Sequence, residues 1–289
     1  MPLFAAGLVP IVMDENRFVG LVTRMDVLGH LRRMARSRRV LARQEGQRVC
    51  RWRGRCGSSD LGEPHPDGHR YDMRLFVEDE VRALGIGAVA AVFEGTRVSN
   101  RSNPLEKRKK ETVDALRATD ISSDLVLAGY RALHARVGVT GVVPPAQRLL
   151  ELVQATRRLP NINTVVDAYN LVSALTRLSL GAHDLAHVRG DLRIGMTRGG
   201  ERYTPLGEAA PVPVAAGEYA GMDEEKIICR LDVRQCAETR ITKETERFMV
   251  YVQGNAATPF ASLEAAIRQV GDLLVDTCGG RYALVSPER

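Results

Sequence analysis

Residues 160–184, PNINTVVDAYNLVSALTRLSLGAHD, set the alternation of elements on which the fold prediction depends. Pro160 ends one helical stretch, and apolar side chains then recur at helical spacing. This spacing predicts a helix over 164–178. Because short apolar runs typical of strands lie on both sides of this helix, we predict a fold of interleaved helices and sheet, of the α/β (α+β) class.

The same alternation extends over one continuous domain, residues 73–283, which is followed by a tail at 284–289. Short apolar runs predict strands at 73–77, 89–93, 192–194, 227–229 and 248–252. Helical spacing and initiating prolines predict helices at 105–116, 144–160, 164–178 and 258–274.

The charge of the chain is concentrated in its first quarter. Residues 1–71 hold 13 arginines against 7 acidic residues, a surplus equal to the net charge of +6 of the whole 289-residue chain. Ten of these arginines lie between Arg32 and Arg55, and Gly, Ser, Pro and Asp cluster at 57–68. We therefore predict an Arg/Gly/Pro-rich disordered linker at 35–72. The overall basicity describes this segment and does not by itself indicate nucleic-acid binding by the main domain.

Two classes of protein are excluded by simple features of the sequence. No apolar run reaches the ~18–20 residues that cross a bilayer, which excludes a membrane protein. The five cysteines are an odd number, and the first residues lack the pattern of a signal peptide, so a disulfide framework is not expected. We expect a cytoplasmic protein that does not bind membranes.

Residues 1–34 form a separate segment with its own signature. Two short apolar runs flank a turn at Asp14–Asn16, and Thr23 then stands at the start of a helical stretch with Asp26 three residues later. The segment resembles the second half of a CBS domain. In that family these two positions hold the ribose and phosphate of an adenosine ligand, so the resemblance implies a possible nucleotide site at Thr23 and Asp26.

A first polar cluster follows Pro160. Asn163, Asp167 and Asn170 are spaced to form one stripe on the predicted helix, opposite its apolar stripe. The stripe lacks Lys, Glu and Arg, which a solvated face normally carries, and Gly181-Ala-His-Asp184 follows it. A functional stripe and a solvated face are the two interpretations, and the composition favours the first.

A second polar cluster runs from Gly217 to Thr245. Its arginine and threonine side chains, among them Arg234, Thr242 and Thr245, suit a phosphate backbone or a carboxyl ester. An ordinary charged loop with a threonine cap explains the same residues.

Together the two clusters resemble the B3/B4 domain of the phenylalanyl-tRNA synthetase beta subunit, in free-standing form. The resemblance covers residues 73–283 and keeps the order and spacing of the family's motifs. The residues that carry it are Asn163, Val166, Asp167, Asn170, His183, Asp184, Gly200-Glu201, Gly217-Glu218, Asp223, Arg234, Thr242 and Thr245.

The resemblance implies an editing deacylase that hydrolyses mischarged aminoacyl-tRNA in trans, without aminoacylation activity, cofactor or metal. It implies that the catalytic residues are His183, Asp184, Asn163 and Asp167, with His183 positioning or deprotonating water. It further implies that the acceptor end of tRNA is bound by Asn161, Asn170, Gly181, Glu201, Glu218, Arg234, Thr242 and Thr245.

Two other functions fit the sequence. The domain could bind tRNA or another RNA without catalysis, or the CBS-like segment could make the chain a sensor of adenosine nucleotides. The amino acid that would be removed does not follow from the sequence.

Overall fold

A computed structural model describes residues 11–14, 17–21 and 73–288, which fall into two units that divide near residue 70. In the first unit, strands β1 (Ile11–Asp14) and β2 (Arg17–Leu21) form an antiparallel hairpin, with Ile11 opposite Leu21. The hairpin lies where the sequence predicts two short strands. Thr23, Asp26 and the predicted linker at 35–72 lie outside the described residues.

The second unit contains ten strands and six α-helices within residues 73–288. The strands are β3 (Leu75–Val77), β4 (Ala88–Glu94), β5 (Ser179–Asp184), β6 (Leu192–Met196), β7 (Tyr219–Met222), β8 (Ile227–Arg230), β9 (Arg234–Gln235), β10 (Arg247–Gln253), β11 (Arg281–Val285) and β12 (Pro287–Glu288). The helices are α1 (Asp79–Arg82), α2 (Asn103–Arg117), α3 (Leu125–Arg136), α4 (Pro145–Thr156), α5 (Thr164–Thr176) and α6 (Phe260–Cys278). The predicted α+β class is confirmed.

Two sheets organise this unit. The first is antiparallel, in the order β11-β4-β10-β5. The second is mixed, in the order β12-β3-β6-β7-β8-β9, with parallel pairing only among its first three strands. Strand β5 is therefore an edge of the first sheet, and β9 is an edge of the second.

Strand β4 lies between the two cores of the second unit, with both of its faces buried. Val89, Ala91 and Phe93 belong to a core shared with the helices, and Ala90 and Val92 belong to a core shared with the second sheet. Because successive strand residues point to opposite faces, one strand contributes to both cores. This explains why its sequence is apolar throughout and does not alternate.

The fold differs from the sequence-based expectation at one helix and at the carboxyl end of the domain. We did not predict α3, which begins where the Asp124 carboxylate accepts hydrogen bonds from the amides of Val126 and Leu127. The residues expected to be a tail from 284 pair instead with the sheets, because β11 continues to Val285 and β12 pairs with β3. None of the helices in the described ranges has the length and apolar character required to cross a bilayer.

Candidate functional site

A pocket of about 250 Å³ lies beside the edge of β5, between that strand, α5 and the β8–β9 hairpin. Asn170 and Arg234 are the two predicted site residues that line it. The complete lining is Pro145, Tyr169, Asn170, Leu180, Leu206, Cys229, Asp232, Val233, Arg234, Gln235 and Tyr251. Asp232 is the only carboxylate among these lining residues.

Asp232 lies in the turn between β8 and β9, and its side chain is buried. Its Oδ1 accepts two hydrogen bonds, each 2.6 Å long, from His134 Nε2 and from the Tyr219 hydroxyl. The Ser179 hydroxyl donates to its backbone carbonyl, also at 2.6 Å. Its Oδ2 is buried and has no hydrogen-bond partner within residues 73–288. The carboxylate is thus fixed through one oxygen, while the other is unpaired.

Two other lining groups keep their protons at neutral pH. Burial raises the pKa of the Cys229 thiol to about 12, so it is not a thiolate and is a poor nucleophile. Burial also raises the pKa of the Tyr251 hydroxyl well above its usual value. Neither group therefore acts as a base at neutral pH.

Gln235 connects the edges of the two sheets. In the amide orientation that satisfies both of its polar atoms, its NH₂ donates to Ala182 C=O at 3.2 Å and its oxygen accepts from Ala182 N–H at 3.3 Å. Gly181 makes this approach possible, because a Cβ there would lie 2.5 Å from the Gln235 amide and 2.8 Å from the Tyr251 ring. Gly181, a predicted site residue, therefore allows close packing beside the pocket, although it does not line the pocket itself.

Asn170 and Arg234 differ in the hydrogen bonds that their side chains make to the protein. Asn170 is half-buried on α5 and makes no hydrogen bond from its side chain within the described part of the chain. Arg234 is exposed, donates to Leu206 C=O at 3.1 Å and pairs with exposed Glu208 at 3.4 Å. Both side chains can reach a ligand at little cost, since an exposed ion pair contributes only ~0–1 kcal/mol.

Asn161 and Asp167 lie in a different place, around the buried ammonium of Lys109. Lys109 Nζ donates to Glu106 at 2.8 Å, to Pro160 C=O at 2.6 Å, to Asp167 Oδ2 at 3.1 Å and to Asn161 Oδ1. Asp167 Oδ1 accepts from the Ile162 amide at 2.8 Å. Burial raises the pKa of the Asp167 carboxyl. Protein partners therefore occupy both of its oxygens.

Asn163 begins α5. Its side-chain oxygen accepts hydrogen bonds from the amides of Val165 and Val166, at 3.1 and 2.9 Å, which is the geometry of an N-cap. Its nitrogen donates to Ile241 C=O at 3.4 Å. The predicted polar stripe therefore divides between the start of the helix, the Lys109 cluster and the pocket.

His183 lies on β5 with its side chain fully buried, and it does not line the pocket. Its Nδ1 is 2.6 Å from the Thr239 hydroxyl, and its ring stacks on that of Tyr251 with centroids 5.5 Å apart. Burial lowers its pKa to about 3, so the imidazole is neutral. It reaches the pocket only through Tyr251.

The remaining predicted residues lie outside this pocket. The Thr245 hydroxyl donates to Asp184 Oδ2 at 2.7 Å and accepts from the Thr242 amide at 3.0 Å. Glu218 forms a two-bond ion pair with Arg230, with both bonds 2.6 Å long, and Glu201 accepts from the Gly199 amide at 2.9 Å.

Thr245 also lines a second depression of about 570 Å³, together with residues 94–98, Lys243, Glu246 and Arg247. Within the described ranges, no group of three or more His, Cys, Asp or Glu side chains is placed to hold a metal ion.

We did not identify Asp232, Gln235 or Tyr251 as site residues from the sequence. Asp232 and Gln235 lie in one hairpin, and Tyr251, on β10, comes close to them only in the folded chain. The available signal was weak, since Asp232 and Gln235 lie inside the second polar cluster, where the arginines, the threonines, Glu218 and Asp223 are the residues that indicate a site.

Comparison with protein families and solved structures identifies relatives of the domain. A family model of the B3/4 domain matches residues 130–279, and none of the curated proteins compared with the chain matches it significantly. Among solved structures, an N-terminal fragment of the phenylalanyl-tRNA synthetase beta-subunit from Pyrococcus horikoshii is similar, with 13% identity and a TM-score of 0.42. The likeness covers 74% of this chain and 51% of that fragment, so the chain spans about half its length.

The family match extends over more than half of the chain and includes every residue that lines the pocket beside β5. The chain therefore belongs to the B3/4 domain family.

Proposed function

We propose that this chain acts in the cytoplasm on aminoacyl-tRNA, hydrolysing in trans the ester bond between an amino acid and the terminal adenosine. The observation that carries the proposal is the pocket beside β5, in which Asp232 is fixed through one oxygen and unpaired at the other. Aminoacylation is not part of the proposal.

The size of the pocket favours a small acyl group. Its volume of about 250 Å³ lies below the ~300–1,000 Å³ typical of pockets for drug-sized ligands. An amino acid fits such a volume, whereas a nucleoside with its ester does not. In the proposal the aminoacyl group enters the pocket and the adenosine stays at the rim, where Arg234 can contact a phosphate.

The chemistry required of the protein is modest, because an aminoacyl ester is already activated. The Asp232 side chain is closed to solvent in this structure, so the proposal requires that ligand entry opens the pocket to a water molecule at Oδ2. Asp232 Oδ2 then takes the proton of this water as the water oxygen attacks the ester carbonyl carbon. The bond to the ribose oxygen then breaks, and the leaving oxygen takes up a proton to give free tRNA and a free amino acid. Asn170 orients the acyl group, and this orientation accelerates the reaction because it holds the ester carbonyl close to the attacking water.

His183 enters the proposal as a positioning residue. Its neutral imidazole stacks on the Tyr251 ring, and the hydrogen bond to Thr239 fixes the orientation of the imidazole. Asn163, Asp167 and Asn161 keep the start of α5 in place and so position Asn170 one turn or more along the same helix.

The test is a deacylation assay on a panel of correctly and incorrectly charged tRNAs. Asp232→Asn keeps the shape of the side chain and removes the base, so we expect release from the preferred tRNA to fall by about 100-fold or more. Asp114→Asn is the matched control, because that carboxylate is 93% exposed on α2, and its rate should equal that of the unsubstituted protein. Equal rates in both variants would remove Asp232 from the chemistry.

Binding of tRNA without hydrolysis is the second candidate function. It is favoured by the exposed basic side chains of Arg101, Lys107, Arg108 and Lys110 on and beside α2, although the neighbouring Lys109 is buried. Retained tRNA binding with no release from any charged tRNA would establish it in place of hydrolysis.

A further inference from the structure

The edge of β5 presents backbone groups to the region beside the sheet. In an antiparallel pair, the N–H and C=O of one residue point to the same side, and successive residues alternate. Asp184 N–H donates outward to Thr239 C=O at 2.9 Å, and Ala182 pairs outward with Gln235. By the same alternation, the N–H and C=O of Leu180 also point outward, away from β10.

The three outward positions differ in what covers them. Protein groups satisfy Asp184 and Ala182, but no group within residues 73–288 hydrogen-bonds to the N–H or C=O of Leu180. Leu180 is 7% exposed and lines the pocket. A backbone donor and a backbone acceptor that are both unpaired and lie side by side are unusual in a buried position, and a ligand with complementary groups would satisfy them.

An α-aminoacyl group has that complementarity. Its N–Cα–C=O unit has the spacing of a strand residue, and opposite residues of an antiparallel pair exchange two hydrogen bonds. We infer that Leu180 binds the aminoacyl group as an added strand residue, an inference that rests on the proposed function. The ligand ammonium donates to Leu180 C=O, and the ligand carbonyl oxygen accepts from Leu180 N–H.

The antiparallel direction assigns a role to Gln235. An added strand that runs antiparallel to β5 places its amino end toward Ala182. There the Gln235 amide already occupies both backbone groups, with which the second residue beyond the aminoacyl group of a longer ligand would otherwise pair. A free α-amine ends before this point, whereas a peptidyl group would have to displace Gln235. Gln235 thus selects aminoacyl over peptidyl ligands.

Binding of three non-hydrolysable analogues tests both parts of the inference. Each analogue joins an acyl group to 3′-amino-3′-deoxyadenosine through an amide, and the acyl groups are L-alanyl, propionyl and glycyl-glycyl-L-alanyl. Propionyl lacks only the amine of alanyl, and glycyl-glycyl-L-alanyl extends it by the two residues needed to lie opposite Ala182. Isothermal titration calorimetry gives the Kd of each analogue.

We expect the full-length chain to bind the alanyl analogue about 10- to 100-fold more tightly than the propionyl analogue, as for one lost hydrogen bond to a charged group. It should also prefer the alanyl over the glycyl-glycyl-alanyl analogue. Gln235→Ala should narrow that second preference by about 10-fold, because it frees the backbone of Ala182 for pairing. Gln154→Ala, an exposed glutamine on α4, is the matched control and should leave both ratios unchanged.

Equal affinity for the alanyl and propionyl analogues, or binding of none of the three, would overturn the pairing at Leu180. An unchanged alanyl to glycyl-glycyl-alanyl ratio in Gln235→Ala, with the variant's melting temperature intact, would overturn the role of Gln235. These results do not depend on turnover. Ester release without an analogue preference would retain the proposed hydrolysis and remove the pairing, and a preference without release would do the reverse.

Discussion

The Lys109 cluster and the carboxylate of Asp232 are both buried and polar, but they differ in whether their hydrogen-bonding capacity is used. Around Lys109, the Asp167 carboxylate has a protein partner at each oxygen, and the ammonium contacts four oxygens. Asp232 has two partners at Oδ1 and none at Oδ2 among the described residues. A satisfied cluster stabilises the fold, whereas an unpaired buried oxygen leaves free energy for a ligand to recover.

The largest effect on stability should come from breaking the Lys109 cluster. Lys109→Met removes the cation and leaves the Asp167 carboxylate buried without a charged partner, which should lower the free energy of unfolding by about 3–5 kcal/mol. Urea denaturation followed by circular dichroism measures it. If the comparison holds, the folded fraction loses less deacylation activity than Asp232→Asn does, because the cluster acts on the pocket only by positioning Asn170.

A double variant sharpens this result. Lys109→Met combined with Asp167→Leu replaces the buried pair by apolar groups of similar size, and such replacements are often neutral or better. We expect it to recover most of the stability lost in Lys109→Met. A double variant as unstable as the single one would assign the lost stability to hydrogen bonds and not to the unpaired charge. The hydrogen bonds concerned are those of the Ile162 amide to the carboxylate and of Asn161 to the ammonium.

His183 is intermediate between the Lys109 cluster and Asp232, because its buried ring has a hydrogen-bond partner at Nδ1 and none at Nε2 within the described residues. Burial lowers its pKa from 6.5 to about 3, so between these two values the unfolded chain binds a proton that the native chain does not. The native state should therefore lose about 1.4 kcal/mol per pH unit from this group as the pH falls from 6.5 toward 3. His183→Gln should flatten the stability profile in that window.

His187→Gln serves as the control for this pH effect, because the His187 side chain is 59% exposed. Its stability should follow the pH profile of the unsubstituted protein. The same slope in both variants would place the acid sensitivity elsewhere in the chain.

The smallest effect separates two asparagines on one helix. Asn163→Ala removes the N-cap of α5 and should cost about 1 kcal/mol of stability, read as a lower Tm. Asn170→Ala should leave the Tm nearly unchanged and slow deacylation, since Asn170 lines the pocket and makes no hydrogen bond from its side chain in the described ranges. Opposite results would reverse the assignment of these two residues.

The sequence predicts the elements that periodicity governs. The helix expected over 164–178 ends at Thr176, and the strand expected at 248–252 extends by one residue at each end, to Arg247 and Gln253. The boundary at Thr176 falls early because Arg177 adopts a left-handed conformation that ends the helix.

The sequence predicts the polar site less well, because the hydrogen-bond partners of a buried polar group often lie far away in the sequence. Asn161 and Asp167 are recognisable as unusual, but the lysine that satisfies them lies more than fifty positions earlier, on α2. Asp232 and Leu180 carry no local signal that one oxygen or one backbone pair is unpaired. Such groups become visible only when the partners of each polar atom are counted in the folded chain.

The last eight described residues have a consequence for handling the protein. Strand β11 closes one edge of the antiparallel sheet, and β12 closes one edge of the mixed sheet, so a single short segment protects two edges. Proteolytic trimming of this segment would expose β4 and β3 together, and open strand edges promote aggregation. Affinity tags and immobilisation are therefore better placed away from residues 281–288.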